Sequence, residues 1–433
     1  MTRNDAEAFL PDPASLYDVI VAGGGPAGIG AAAASAKAGA KTLLLEARSV
    51  FGGVGQAALW MPWNRMLKDG ASRGGAHALF CDAVRSYGPQ AWTEGSTHNF
   101  LLADGLNIHP DFGRRAVFDV LEGQGCQYQL YSPVVGTVME GPRLSGVSVS
   151  TKKGAIAYRA KVFVDATGDG DLARLSGVPM IKGRDDGTLM QPALVFALAE
   201  ADYAAADDFL KNMKNEFHRI IGDARDAGYT TCEWYSFDRG SIPGIVSVNN
   251  GGIHGLGAMD GSDEVDLTLV QRKGIEAAVH FVEIARKWKI PGLANCALLR
   301  TGSHVAVRES WRITGEYIFT RSDAREGREF PDAVARKYGG IDDVGRGMET
   351  MKSGCAFPYR SLVPLKVDGL LVAGRCASAT HGGFAAGRGM GNMMGLGQAA
   401  GAAAALCARE GTLPRSLDAR LVRNMLCTWG VEL

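Results

Sequence analysis

The sequence predicts an α/β fold: a dinucleotide-binding βαβ domain carrying an antiparallel β-meander, and a second α+β domain set within it. Three observations predict this. The chain opens with a strand, a glycine-rich turn and a helix in "YDVIVAGGGPAGIGAAAASAKAGAKTLLLEA". Three alternating segments, "YQLYSPVVGTVMEG", "LSGVSVSTKKG" and "AIAYRAKVFVDATGDGDLA", read as a meander feeding a buried strand. Much later, "VDGLLVAGR" has the form of a further buried strand ending on glycine. A chain of 433 residues exceeds one small core, and the pattern divides into 15–188 (first domain, meander near 126–160), 189–355 (substrate or cap domain) and 356–433 (return segment and terminal helices).

In order, Tyr17–Ala22 reads as a strand, Pro26–Ala38 as a helix and Lys41–Glu46 as a second strand. Gly23, Gly25 and Gly28 lie between strand and helix at the spacing that permits a tight turn, backbone approach to a pyrophosphate and close helix packing. The first helical residues, Pro26 and Ala27, put amide donors and a favourable dipole at that anion, and the carboxylate of Glu46 suits a ribose hydroxyl pair. Ala47 and Arg48 follow, then "FGGVGQAALWMPWNRM", a glycine-rich loop expected to cross the cofactor with Gly53 and Val54 against it. A helix over Gly113–Gln124 precedes the meander, where Val135 is expected near the nucleotide. The buried strand Ala160–Asp165 stops at Ala166, Thr167, Gly168 and Asp169.

The second domain begins at "MQPALVFALAE", with helices near Tyr203–Gly222 and Leu267–Lys287 and a strand near Ala297–His304. The return strand ends on Gly374 and Arg375. An alanine-rich helix, Gly395–Cys407, then follows, its mouth formed by Gly391, Asn392, Met393 and Met394, and a short amphipathic helix spans Ser416–Leu426. Unsatisfied amides at such a mouth stabilise an anion, and glycines there keep side chains out of the way.

Composition narrows the classes. Lys+Arg and Asp+Glu are equal at 46 each, so no charge excess points to nucleic acid or an anionic membrane. Eight cysteines are scattered without metal-ligand spacing, and reduced, mostly buried thiols are expected, with no metal site. A polar N-terminus without an apolar segment and no run long enough to span a bilayer predict a cytoplasmic protein.

With the fingerprint, "DATGDGD" and "LLVAGRCASATH" in that order, the chain resembles the FAD-dependent oxidoreductases of the glutathione-reductase-like flavoprotein superfamily. The likeness extends through "QPALVFAL", "VRESWRITGEYIFTRSD", "YRSLVP" and "GGFAAGRGMGNMMGLGQAAGAAAAL". Two departures stand out: Trp311 replaces the second arginine of the family's Arg-Glu-Ser-Arg run, and "IDDVGRG" lacks a histidine common in relatives. The resemblance implies a cofactor, FAD, and an enzyme that oxidises a small polar substrate by hydride transfer. The alternatives are a flavin-dependent tRNA-modifying or heterocycle-forming enzyme and a flavin monooxygenase.

Such chemistry needs a proton acceptor, and histidine titrates in the useful range. His381, following Gly374-Arg375, is the first choice and a conceivable covalent flavin anchor; His304 and His254 are alternatives, each weighed against a merely packed or solvated histidine. Arg308, Arg312 and Arg388 suit a carboxylate or phosphate, or a structural pairing with Glu309 or Glu316. Trp60, Trp63 and Phe384 can wall a substrate pocket or fill a core, and Asn249 can add a polar contact. No second nucleotide fingerprint is present, which leaves oxygen, a quinone, a carrier protein or transient nicotinamide as electron acceptor; a homo-oligomer is compatible with the chain.

Overall fold

The computed structural model describes residues 8–95, 104–344, 347–351 and 354–433. Strand β1 (Leu16–Ala22), helix α1 (Pro26–Lys37) and strand β2 (Thr42–Leu45) form the opening unit. Val19 and Val21 of β1 pack with α1, while Tyr17, Ile20 and Ala22 enter the core on the other face. Burial on both faces is why the strand reads as a continuous apolar run. β3 (Gln127–Gln129) extends the sheet beyond β2 in parallel. β4 (Val134–Glu140), β5 (Arg143–Thr151) and β6 (Gly154–Asp165) form the antiparallel meander. β6 is shared: its first half pairs antiparallel with β5, and from Arg159 to Asp165 it runs parallel to β1.

A separate four-stranded antiparallel sheet comprises β7 (Phe196–Ala199), β8 (Tyr235–Arg239), β9 (Val246–Asn250) and, after helix α2 (Glu264–Lys287), β10 (Ala297–Thr301), in the order β8-β9-β7-β10. Phe196, Phe217, Tyr235, Phe237 and Phe281 form its aromatic core. The helix expected near Tyr203–Gly222 is two, Tyr203–Asn212 and Lys214–Asp226, broken at Met213. The expected strand at Ala297–His304 stops at Thr301, because the chain then leaves the sheet to line a cavity.

β11 (Leu370–Val372) returns to the first sheet and pairs in parallel with the end of β6. The register places Ala22 beside Asp165 and Asp165 beside Val372, so three adjacent parallel strands end level with one another. Helix α3 (Met390–Glu410) is buried for almost its whole length against α1. It begins five residues before the expected Gly395, because the alanine run marks only the part facing α1. At Gly397 and Gly401 a Cβ would lie 1.9 Å from the Ala27 carbonyl oxygen and 2.1 Å from that of Ala31. The partner that comes so close to these glycines is therefore the α1 backbone. The terminal helix is Ala419–Thr428. All eight cysteines are free thiols, seven of them buried. Among the described residues no helix is long and apolar enough to cross a membrane.

Candidate functional site

The level strand ends bring three turns together, where open α/β sheets bind ligands. Gly23 turns the chain at a φ of 94°, and a Cβ there would sit 2.6 Å from the Ala166 carbonyl oxygen. At Gly28 a Cβ would lie 1.7 Å from the Gly23 carbonyl oxygen, whereas at Gly25 it would meet nothing within 4 Å. Gly28 thus seals the turn from behind and Gly25 leaves open space in front. Pro26 occupies the first helical position and the first turn of α1 carries no acidic residue, so its dipole is left to an incoming anion.

Buried Asp165 shapes the second turn. Its Oδ1 accepts from the Thr167 amide and hydroxyl at 3.0 and 2.7 Å, and its Oδ2 from the Ala173 amide at 2.8 Å. Burial pushes its carboxyl up to about 6 against these bonds. Arg375 locks the third turn onto the second, donating to Gly168 O at 2.8 Å, Val307 O at 2.6 Å and Asp169 Oδ1 at 2.6 Å. Glu46, 4% exposed, accepts from the amides of Gly24 (2.6 Å) and Arg48 (2.8 Å).

A cavity of 1120 Å³ runs from these turns to the four-stranded sheet. That exceeds the roughly 300–1,000 Å³ of pockets for drug-sized ligands, leaving room for a dinucleotide and a small second molecule. Near the first turn it is lined by Gly23, Gly25, Pro26, Ala27 and Glu46, then by Ala47, Arg48, Gly53 and Val54. Ala166, Thr167, Gly168, Asp169, Gly374 and Arg375 add the other two turns. His304 also lines it; burial, then the charges of Arg48 and Arg375, depress its imidazole to about 3, and its Nδ1 has no partner.

At the far end Trp234, Ser236, Asn249 and Arg308 reach in from the four-stranded sheet and the segment after it. Phe384, Arg388, Met390 and Met393 face them, with Trp60, Tyr338, Asp342 and Asp343 around the rim. Buried Arg308 donates to Gln191 O at 2.6 Å, Asn249 Oδ1 at 3.1 Å and Asn250 O at 2.5 Å, and lies 5.5 Å over the Trp234 ring. Burial, and then the neighbouring charge of Arg388, lower its pKa to about 9. Arg388 itself is paired with Asp342.

Other residues singled out from the sequence stand away from the cavity. His381 is wedged between carboxylates, Nδ1 at 2.9 Å from Glu309 Oε1 and Nε2 at 3.0 Å from Asp343 Oδ1, so no ring nitrogen is left for a substrate. Arg312 is consumed by Glu309 (2.5 Å), Ala379 O and Gly183 O. His254 sits at the surface against Glu233. Trp63 is fully buried on Phe80, and Val135 points to solvent because strand alternation turns its neighbour Val134 inward.

The mouth of α3 also differs from the expectation. Gly391 abuts the Arg65 backbone, Met394 is core, and the Asn392 side chain bonds Arg73, Tyr338 and Gly387. Asn64 accepts from the Met390 amide at 2.9 Å and the Gly391 amide at 3.0 Å, occupying the first of the amides expected to await an anion, that of Gly391, and the one before it. The residues missed from sequence, Trp234, Tyr338, Asp342 and Asp343, have weak local signals. The doubled acid after "YGGI" is the one that could have been noticed.

A digeranylgeranylglycerophospholipid reductase of Picrophilus torridus is 28% identical over 178 residues, 37% of this chain and 42% of the relative's length. The chain therefore spans less than half of that relative. Among solved structures, p-nitrophenol 4-monooxygenase of Pseudomonas putida shares 14% identity with a TM-score of 0.49, over 95% of this chain and 84% of the other. A geranylgeranyl bacteriochlorophyll reductase-like protein of Thermoplasma acidophilum shares 14% identity with a TM-score of 0.47, over 95% and 82%. A model of the FAD dependent oxidoreductases matches residues 18–426, a span holding all three turns and every wall of the cavity; the chain belongs to that family and is an FAD-binding enzyme.

Proposed function

We propose that the enzyme oxidises a small polar organic substrate held at the Arg308 end of the cavity. The observation that carries this reading is the continuity of the cavity, which joins the nucleotide turns to a polar chamber walled by the second sheet. FAD fits the near end: a Cβ on Gly23 or Gly28 would close the cradle, and the space before Gly25 is open. FAD supplies, when bound, an acceptor for a hydride. The α1 N-terminus and the Gly23–Gly28 turn would hold its diphosphate, Glu46 would take a ribose, and the Asp165 and Arg375 turns would close the remaining side. This arrangement across β1, β6 and β11 supports a glutathione-reductase-like placement.

At the chamber end Trp234, Phe384 and Trp60 supply apolar walls that exclude water, and Asn249 and Arg308 orient a polar substrate. Asp342, held by Arg388, is a carboxylate on that wall placed to take a departing proton. The test is anaerobic. Candidate alcohols, amines and hydroxy acids should bleach the flavin of the purified protein without nicotinamide, and air, a quinone or a dye should then restore the colour. A flavin reduced by NADPH alone, with substrate only accelerating oxygen uptake, would indicate a monooxygenase instead.

A further inference from the structure

Among the described residues, Arg308 is a buried cation on the chamber wall with no carboxylate hydrogen-bonded to it. Arg388 is cancelled by Asp342, and Asp343 by Arg184 and His381. Arg308 faces the same space with only neutral acceptors, two backbone carbonyls and the Asn249 amide oxygen. Three of its N–H groups are used there, and a guanidinium has five. Burying such a group without a counter-charge is costly, so its retention calls for an anion from outside. Arg375 is tied to the second nucleotide turn at Gly168 and Asp169, whereas Arg308 is tied to Asn249 and Asn250 of the second sheet.

Resting on the proposed function above, we propose that the substrate is a carboxylic acid, whose carboxylate docks on Arg308 against Trp234 and Asn249. Both Nη2 hydrogens are committed to Asn249 and Asn250, so the carboxylate takes a single charge-assisted hydrogen bond from a remaining N–H of the guanidinium together with its charge. Trp234, its ring 5.5 Å from the guanidinium, braces the group in place. The rest of the substrate then extends toward Phe384 and Met393.

The test uses the flavin-loaded protein and paired probes of equal shape, benzoate against benzamide and acetate against acetamide, with binding read by calorimetry and flavin retention by absorbance. The carboxylates should bind saturably, and the amides more weakly by roughly tenfold or more, the scale of a charge-assisted hydrogen bond. Arg308→Gln should bring carboxylate affinity down to that of the amides and leave the amides unchanged, a pattern that a merely structural arginine would not produce. If that variant loses its flavin, Arg308→Lys decides, because its ammonium on a shorter flexible stem does not present the fixed guanidinium N–H and should weaken only the carboxylates. Equal binding of acid and amide, no saturable binding of either acid, or an acid preference that survives substitution overturns the inference. Bleaching of the flavin by neutral substrates alongside any of those results leaves the proposed function standing; a purified protein that takes up no flavin removes both.

Discussion

His381 illustrates how a residue correctly noticed can have a different job. Its neighbours Glu309 and Asp343 are carboxylates in poor contact with water. Burial pushes Glu309 up, but His381 and Arg312 outweigh it and hold the carboxyl below its ordinary range. Asp343 is likewise pushed up by burial and brought below its ordinary range by Arg184 and His381. The imidazole thus pins the segment after Thr380 to the wall that carries Asp343. His381→Ala should cost roughly 1–3 kcal/mol, the scale of leaving a buried hydrogen-bonding group without its partner, since Arg312 and Arg184 remain on the two carboxylates. Thermal unfolding of both flavin-free and flavin-loaded protein should show the loss. A histidine acting as a base would instead lower the bleaching rate and leave unfolding unchanged.

At the scale of elements, the α1–α3 contact separates glycines that must be glycine from those that need not be. Gly401→Ala places a methyl 2.1 Å from the Ala31 carbonyl oxygen, so backbone must move; overpacking of this kind costs about 1–3 kcal/mol. Gly395→Ala meets nothing nearer than 3.5 Å and should gain up to about 1 kcal/mol from helix propensity. Opposite signs in denaturant midpoints from two identical changes six residues apart would confirm the assignment. Equal shifts would show that α3 packs otherwise. The same contact explains what could be read in advance. The Gly23–Gly28 turn was legible because its spacing, strand and helix are all local. The start of α3 was not, because its first turn rests on Asn64 and Arg65, which lie far away in sequence. The Arg308 chamber was legible only residue by residue. Trp234 and Asn249 come together through the β8–β9 pairing, and Arg308 and Arg388 reach them from loops far away in sequence, which no local pattern specifies.

Across the whole molecule, buried titratable groups pull stability in opposite directions with pH. Burial pushes Asp165 up to about 6 and Asp238 up to about 7, and Asp238 Oδ2 has no partner among the described residues. Each binds its proton more tightly folded than unfolded, so its contribution is complete below the unfolded value and is lost as pH rises through the folded one. Burial, with Arg73 as the next cause, depresses His77 to about 3, and His304 also lies at about 3. The unfolded chain takes up those two protons first, so stability falls as pH drops from the ordinary histidine value toward 3. Over roughly pH 4 to 6 the contributions of these two aspartates and two histidines run in opposite directions and nearly cancel one another. Asp238→Asn removes one side of the balance. Its urea midpoint should exceed that of the native protein above pH 7, and fall on acidification from pH 6 to 4 by about 1.4 kcal/mol per pH unit relative to it. A variant whose pH profile parallels the native one would mean that Asp238 is ionised in the folded protein and has found a partner for its charge.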